Sequence, residues 1–307
     1  KYDVIIVGAG PAGIFSALEL TEKTNLKVLM LDRGPDINQR KCPASRGFEC
    51  LNCEPCFLLS GWGGAGAFSD GKLTLSTEVG GWLNQYVTPK ELSELVNHVD
   101  EIYLKFGAPQ HSYGEDIEKI EEIERKASLA GLKLIRQKIR HMGTERCAQT
   151  LRKMRQELNN KIEFIPKKDV KGLIVKNNAV EGVETVNGEK FFGKYVIVAP
   201  GRSGAEWLQS EAQALGLKTL NNPVDVGIRV EVLASVMEEL TSTLYEPKLV
   251  YYSKSFDDQV RTFCVAPYGE VITESYNGVL TVNGQSYAER KTENTNFAIL
   301  VSTSFTE

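Results

Sequence analysis

Residues 2–34 read YDVIIVGAGPAGIFSALELTEKTNLKVLMLDRG. The run Val4-Ile5-Ile6-Val7 is short, β-branched and closed by glycine, the pattern of a strand buried on both faces. A helix-compatible stretch follows from about Pro11 to Glu22, with Ile14, Ala17 and Leu18 on one stripe. A second apolar run, Val28-Leu29-Met30-Leu31, ends at Asp32. The order is a βαβ unit with G-x-G-x-x-G (Gly8, Gly10, Gly13) at its first turn. Gly8 permits the tight turn, Gly10 lets backbone approach a pyrophosphate, and Gly13 lets helix and strand pack closely. Pro11 and Ala12 open a helix whose N-terminal N–H groups and dipole favour phosphate. Asp32, 19 positions after Gly13, suits ribose hydroxyls. Strand, glycines, helix, strand and acid in sequence imply a dinucleotide site. Arg33 offers a 2′-phosphate contact instead, which the adjacent Asp32 carboxylate would oppose.

Working outward, the 307 residues suffice for one large domain or two ordinary ones. Hydrophobic residues at 42% and charged residues at 25% exclude a mostly disordered chain. A net charge of −4 disfavours a protein held to nucleic acid mainly by phosphate contacts. No apolar run reaches the roughly 18 residues of a membrane span. The uncharged stretch 4–18 is broken by three glycines and a proline, so it reads as the fingerprint rather than a signal peptide.

The GAGPAG wording followed by Asp32-Arg33 resembles FAD-binding proteins of the glutathione reductase-like superfamily. Two later stretches agree with a flavin. Residues 173–201 alternate in polarity around Asn177-Asn178 and Asn187-Gly188 and close on the strand 195–198, which reads as a β-meander. Its end, Ala199-Pro200-Gly201, resembles the strand-end motif that passes the cofactor in that superfamily. A strand over 162–170 precedes it, and the same resemblance brings the Val170 backbone to the adenine. Residues 60–73, SGWGGAGAFSDGKL, carry five glycines. Backbone of that kind can wrap phosphates and a ribityl chain, making Gly63, Gly64, Ala65 and Ser69 contact candidates. Lys72 either stabilises charge on a reduced flavin or pairs with a carboxylate.

A closer resemblance spans the chain. SGWGGAGAFSDGKLTLSTEVGGWL (60–83), HMGTERC (141–147), DVGIRVE (225–231), VRTFCVAPYGEV (260–271), VNGQSY (282–287) and NTNFAIL (294–300) are similar to uncharacterised bacterial FAD-dependent, or NAD(FAD)-utilizing, dehydrogenases. That resemblance implies a two-part flavoprotein with FAD as cofactor, NAD(P)H as a candidate electron donor and a small-molecule substrate it does not specify. The superfamily pattern also continues into a C-terminal return to the dinucleotide domain, with a Gly-Asp segment at the flavin. This chain has no Gly-Asp pair, so a fragment is expected, and its retention of FAD is in question.

Four of the six cysteines lie close together: Cys42, Cys50, Cys53 and Cys56. The C-x2-C-x2-C run is compatible with an iron–sulfur cluster, but ferredoxin-type runs place the fourth cysteine and its proline last, whereas Cys42-Pro43 comes first. Four thiolates suit zinc equally, a CxxC dithiol suits redox exchange, and reduced thiols in a compact loop need no function. No metal is assigned. Cys147 and Cys264 stand apart and fit a reducing cytoplasm.

Pro89 to Phe106 has helical apolar spacing and is expected to pack into a core. Residues 115–124 hold six acids and one lysine, whereas 125–155 hold ten Lys/Arg and one Glu. That basic segment, with Arg152, Lys153 and Arg155, is the basis of an alternative RNA-binding or tRNA-modifying reading, disfavoured because apolar residues interleave the charges. Thr144-Glu145 starts a helix reaching about Leu158, and the adjacent His141 is catalytic or, more simply, structural. From 221 the chain turns Val-, Tyr- and Thr-rich; Tyr276-Asn277-Gly278 and Val282-Asn283-Gly284 read as hairpin connections. Arg229, Arg261 and Tyr268 either bind an anionic substrate or form core pairs. The expected fold is therefore α/β: a Rossmann-like FAD/NAD(P)-binding domain with a β-meander over 1–220, interrupted by a helical insertion over about 84–160, and a β-rich substrate domain over 221–307. The expected activity is hydride transfer between a small substrate and flavin, with a noncatalytic nucleotide-binding fragment as a further alternative. No membrane partner is expected, and neither the catalytic residues nor the oligomeric state can be read.

Overall fold

The computed structural model describes residues 1–43, 49, 51, 53–276, 279–287 and 290–304. In chain order the strands begin with β1 (Tyr2–Val7), β2 (Val28–Asp32), β3 (Lys72–Thr74), β4 (Lys133–Ile135) and β5 (Ile139–His141). Next come β6 (Glu163–Pro166), β7 (Val170–Lys176), β8 (Ala179–Thr185), β9 (Lys190–Val198) and β10 (Val224–Leu233). The last are β11 (Lys248–Tyr252), β12 (Gln259–Ala266), β13 (Glu270–Tyr276), β14 (Val279–Gln285) and β15 (Asn294–Thr303). The helices are α1 (Pro11–Lys23), α2 (Pro89–Lys105), α3 (Ile117–Leu129), α4 (Thr144–Glu157), α5 (Ala205–Ala214) and α6 (Ala234–Leu244).

The chain divides into two units. The first comprises Lys1–Phe68 and Cys147–Leu220. Its sheet has the order β6-β2-β1-β9-β8-β7. β1 runs parallel to both β2 and β9, with Val4 opposite Val28 and Tyr195. Parallel strands need crossovers and end up covered on both faces, which is why Val4–Val7 and Val28–Leu31 read as unbroken apolar runs and are buried. α1 supplies one crossover and buries Gly13, Ile14, Ala17 and Leu18. The meander expected over 173–201 is β7-β8-β9, antiparallel throughout. Asn177 and Asn178 both take positive φ (50° and 61°), the backbone that a two-residue hairpin requires. The single strand expected over 162–170 is two, β6 and β7. Lys167 turns the chain between them at φ 57°, and the N–H groups of Lys167 and Lys168 donate to the carbonyls of Gly34 and Asp32.

The second unit comprises Ser69–Arg146 and Asn221–Glu307. Its sheet has the order β10-β15-β12-β11-β4. Its second segment begins at Asn221, and residues 84–146, expected as an insertion, fold with it. The reason is physical: three-residue β4 completes the sheet edge at β11, with Leu134 opposite Leu249. The α3 stripe Ile120, Ile123 and Ala127 then closes over Leu134 and Leu244. α2 carries a Thr88/Glu91 capping box, yet of its apolar stripe only Ile102 and Tyr103 are buried and Leu95 is exposed. β13 and β14 pair antiparallel, and the turn expected at Asn277-Gly278 lies outside the described residues. The other expected hairpin turn, Val282-Asn283-Gly284, lies inside β14, with Asn283 paired to Ile272. Gly284 is there for space, because a Cβ would overlap Arg229 Nη1 and Asn296 Oδ1.

Candidate functional site

The ends of three parallel strands meet at one place in the first unit. Gly8 N–H donates to Leu31 O (2.8 Å) and Ala199 N–H to Val7 O (2.8 Å), joining β2, β1 and β9 at their C-terminal tips. Gly8 sits at φ 106°, and a Cβ there would overlap the Ala199 carbonyl. α1 then starts at Pro11 from Gly10, with no capping side chain and no acid in its first turn. Its free N–H groups and positive dipole end are therefore available to an anion.

A second glycine loop lies against the first. Gly63 N–H donates to Ala9 O at 2.7 Å, and Gly64, at φ 56°, leaves only 3.0 Å from its would-be Cβ to Gly10 Cα. The loop is clamped by Arg40, a buried residue that sequence reading passed over. Its guanidinium donates to the carbonyls of Phe57, Leu58, Trp62 and Gly64 at 2.7–2.9 Å. Trp62, wholly buried, donates through Nε1 to Leu151 O (2.9 Å), tying the loop to α4. Burial lowers the Arg40 pKa to about 10, against the pull of Asp32 and Cys56, so the group is charged at neutral pH. Asp32 joins the turns, its carboxylate accepting from Ala9 N (2.7 Å) and Gly34 N (2.8 Å). Burial raises its pKa above the ordinary carboxylate value, partly offset by the backbone N–H groups of Ala9, Gly34 and Gly61 and by Arg40.

Between these parts runs a groove enclosing about 920 Å³, its open mouth included. Of the residues that the sequence offered, Gly8, Gly10, Pro11, Asp32, Arg33, Gly64, Ala65, Val170, Ala199 and Gly201 line it. Ala12 and Gly13 do not. Gly13 lies behind the turn, where a Cβ would overlap the Gly8 carbonyl, and Gly63 faces Leu151 and Ala67. Ser69 and Lys72 belong to the second unit. The groove also takes in Ser60, at the start of the second glycine loop, and Lys168, Arg202 and Trp207, which no local motif announces. Two of its polar atoms are buried without partners, Ser60 Oγ and Arg33 Nε. Buried polar groups are nearly always satisfied, so two orphaned donors on residues of one groove fit a bound polar ligand. Arg33 Nη2 pairs with exposed Glu54 at 3.0 Å.

In the second unit Lys72 takes the carboxylate-pairing option. Its ammonium lies 2.8 Å from Glu246 and 3.4 Å from Asp70, and it donates to Val265 O at 3.1 Å. Burial pulls its pKa down, but Asp70, Glu246 and Cys264 outweigh burial and hold it above the usual lysine value. Asp70 also accepts from Ser286 Oγ (3.2 Å), which contacts the Tyr245 hydroxyl at 2.9 Å. His141 stacks on Tyr245 with centroids 4.3 Å apart, its Nε2 buried without a partner. Burial drops its pKa to about 4, so the imidazole is neutral at physiological pH. Unfolded chain takes up this proton near pH 6.5 and the native chain only near 4, so acid favours unfolding. Stability should fall by about 2 kcal/mol between pH 7 and 5 from this residue alone. Urea midpoints at the two pH values, compared with His141→Phe, measure it; an unchanged slope in the variant would assign the pH effect elsewhere.

Five of the ten basic residues of 125–155 form ion pairs with carboxylates. Lys126 pairs with Glu122 and Glu239, Arg136 with Glu124, Lys138 with Glu115, and Arg140 with Asp100. Arg155 lies against Trp62 and Phe164 (5.4 and 5.0 Å to the ring centroids) and bonds Asp36 at 3.0 Å. We therefore expect Arg155→Ala to cost about 1–3 kcal/mol in urea unfolding. Among the described residues no three His, Cys, Asp or Glu side chains come together to hold a metal, and Cys50 lies outside those residues.

A groove at the C-terminal tips of parallel strands, built on a glycine turn and a helix N-terminus, is the geometry of an α/β dinucleotide-binding fold. Residues 2–222 match the pyridine nucleotide-disulphide oxidoreductase family, and the chain belongs to it. Residues 223–307 match the family described as FAD-dependent protein, C-terminal domain-like. An uncharacterised protein of Clostridium beijerinckii is 30% identical over 315 residues, covering 98% of this chain and 51% of its own length. The chain thus spans about half the length of the curated relative it matches. Among solved structures, glycine oxidase from Geobacillus kaustophilus is 14% identical, with 99% of this chain and 73% of that chain covered and a TM-score of 0.45. L-proline dehydrogenase from P. horikoshii is 13% identical, with 99% and 82% covered and a TM-score of 0.45. No helix among the described residues is long and apolar enough to cross a membrane.

Proposed function

We propose that this chain supplies the FAD-holding half of an oxidoreductase that moves hydride between a small-molecule substrate and flavin, with NADH or NADPH as electron donor. The observation that carries the reading is the single groove on which both glycine loops, the α1 N-terminus and the end of β9 converge, with Ser60 Oγ and Arg33 Nε left unpartnered in it. FAD, when bound, supplies the two-electron acceptor, and the protein's part is to bind, orient and tune it. The N–H groups of the first α1 turn would take the pyrophosphate, and Asp32 the ribose hydroxyls. Asp32 on the groove wall also disfavours a 2′-phosphate there. The Val170 backbone would meet the adenine, and Gly64 and Ala65 would admit the rest of the dinucleotide. Ser60 Oγ–H and Arg33 Nε–H are the donors free to hold its oxygens. Lys72 keeps its proton on Asp70 and Glu246, so it is a positioning group of the second unit. A reducing cytoplasm suits the thiols of Cys53, Cys56 and Cys264.

The test is an anaerobic absorbance spectrum of the chain, and of the longer protein containing it, after incubation with FAD. Bands near roughly 370 and 450 nm should co-purify with protein and bleach with NADH or NADPH. A protein that takes up no FAD would overturn the reading; one that holds FAD but bleaches only with dithionite would remove the nicotinamide donor alone.

A further inference from the structure

Of the three residues that sequence reading offered as anion binders, two are fully occupied. Arg261 bonds Asp225 (2.6 Å) and Ser302 (3.1 Å), and the Tyr268 hydroxyl donates to Glu238 (2.9 Å). Arg229 differs. Its Nη1 donates to Asn296 Oδ1 at 2.6 Å and to Cys264 O at 3.2 Å, both neutral acceptors. Its Nη2 has only a 3.5 Å contact with Asn283 Oδ1, and that oxygen already accepts from Gly284 N at 2.8 Å. Its Nε is buried with no partner at all. One atom away, Asn296, at 0% exposure, leaves Nδ2 unpartnered as well. No carboxylate pairs with Arg229 among the described residues.

The surroundings hold this arrangement in place. β12 slips register between Phe263 and Ala266, and Cys264 sits in the bulge at φ 50°, a costly backbone for a non-glycine residue. Glu246 Oε1 accepts from Cys264 N at 2.8 Å, fixing the carbonyl that Arg229 Nη1 meets. Gly284 leaves the room that the guanidinium fills. The segments 225–231, 260–271, 282–287 and 294–300, which the dinucleotide groove does not use, each contribute one of these groups.

We propose that Arg229 is the binding site of a small monocarboxylate, held side-on by Nε and Nη2. The Nε–Nη2 edge presents two parallel N–H groups that match the two oxygens of a carboxylate. All the unsatisfied atoms are donors, so the ligand must bring acceptors. Charge limits it to a monoanion. Lys72 engages both Asp70 and Glu246, and Arg229 has no carboxylate partner among the described residues, so a monoanion balances its charge and a dianion would bury an uncompensated one. The site lies within the second unit and does not depend on the flavin reading.

The experiment follows Arg229 Nε–H by NMR in the whole chain labelled with [15N]arginine, without FAD. Its resonance is assigned by its loss in Arg229→Lys; that of Arg33, the other arginine with an orphaned Nε, by its loss in Arg33→Lys. Titration with propionate should move the Arg229 resonance downfield and saturate, while propionamide leaves it in place and inorganic phosphate acts far more weakly. Calorimetry should show propionate affinity falling about ten- to a hundredfold in Arg229→Gln. A saturable shift that survives Arg33→Lys carries the same conclusion if Arg229 variants do not fold. Absence of a shift at high propionate would mean that water satisfies these donors and would overturn the proposal. An equal shift with phosphate or propionamide would overturn it too. Flavin absorbance plays no part, so failure here leaves the dinucleotide reading standing, and the reverse.

Discussion

Gly10→Ala should leave the chain as stable as the parent and abolish its hold on FAD, whereas Gly13→Ala should lose both. The two glycines differ in what surrounds them. At Gly10 a Cβ finds only Gly64 Cα, at 3.9 Å, and φ is −76°, so alanine fits the chain itself. What alanine blocks there is the approach of a ligand to the backbone at the head of α1. At Gly13 a Cβ would overlap the Gly8 carbonyl and lie 3.2 Å from Ile6 Cγ2. Backbone cannot yield as a side-chain end can, so the glycine turn must move. Overpacking of this kind costs about 1–3 kcal/mol. A displaced binding turn costs a further factor on the order of a hundred in function. We expect FAD affinity at least about a hundredfold weaker in both variants, with a lowered urea midpoint only in Gly13→Ala. Parental FAD affinity in Gly10→Ala would place the pyrophosphate elsewhere than the head of α1.

The features behind that prediction were legible because they are local. A doubly buried strand, a glycine turn, a helix stripe and a strand-end acid are all set by neighbours along the chain, and residues 2–34 display them in order. Asn177-Asn178 was legible for the same reason, since the turn needs positive φ at both residues. What escaped depends on partners far away. β4 is three residues long with no strand signal of its own, and only the edge of β11 makes it a strand and draws 69–146 into the second unit. Gly284 looked like a turn residue because glycine after asparagine usually is one; its true reason, room for Arg229, comes from β10, more than fifty residues earlier. Trp207 reaches the groove from α5, whose sequence says nothing of a ligand. Lys72 was left between two roles, and the carboxylates that decide it stand at Asp70, two residues away, and at Glu246, far along the chain. Pattern reading finds what a segment is, and the packing of segments decides whom it meets.

Arg40 is the extreme case, and its replacement should be the most damaging single change in the first unit. It lies in PDINQRKC (35–42), a stretch without motif or periodicity. Yet its one guanidinium serves four carbonyls of the 57–64 segment and sits 4.9 Å from the centroid of Phe68. Glycine-rich backbone has high entropy when unfolded and few side chains to hold it when folded, so something must fix it. A planar five-donor fork does so from a single residue. Arg40→Met keeps the apolar stem and removes every donor, leaving those carbonyls to lose partners in a buried loop. Hydrogen bonds from a charged donor contribute about 1.5–3 kcal/mol each and are not additive when they share one group. The expected loss is about 3–4 kcal/mol in urea unfolding. Arg40→Lys should recover little of it, because an ammonium is a point donor and cannot span carbonyls on both sides of the loop. FAD binding should fall as well, since Gly63 and Gly64 rest on Ala9 and Gly10 only while the loop is held. If Arg40→Met unfolded at the parental midpoint, the loop would be held by Trp62 and its bond to Leu151 O, and Trp62→Phe, which removes that donor, would become the damaging change instead.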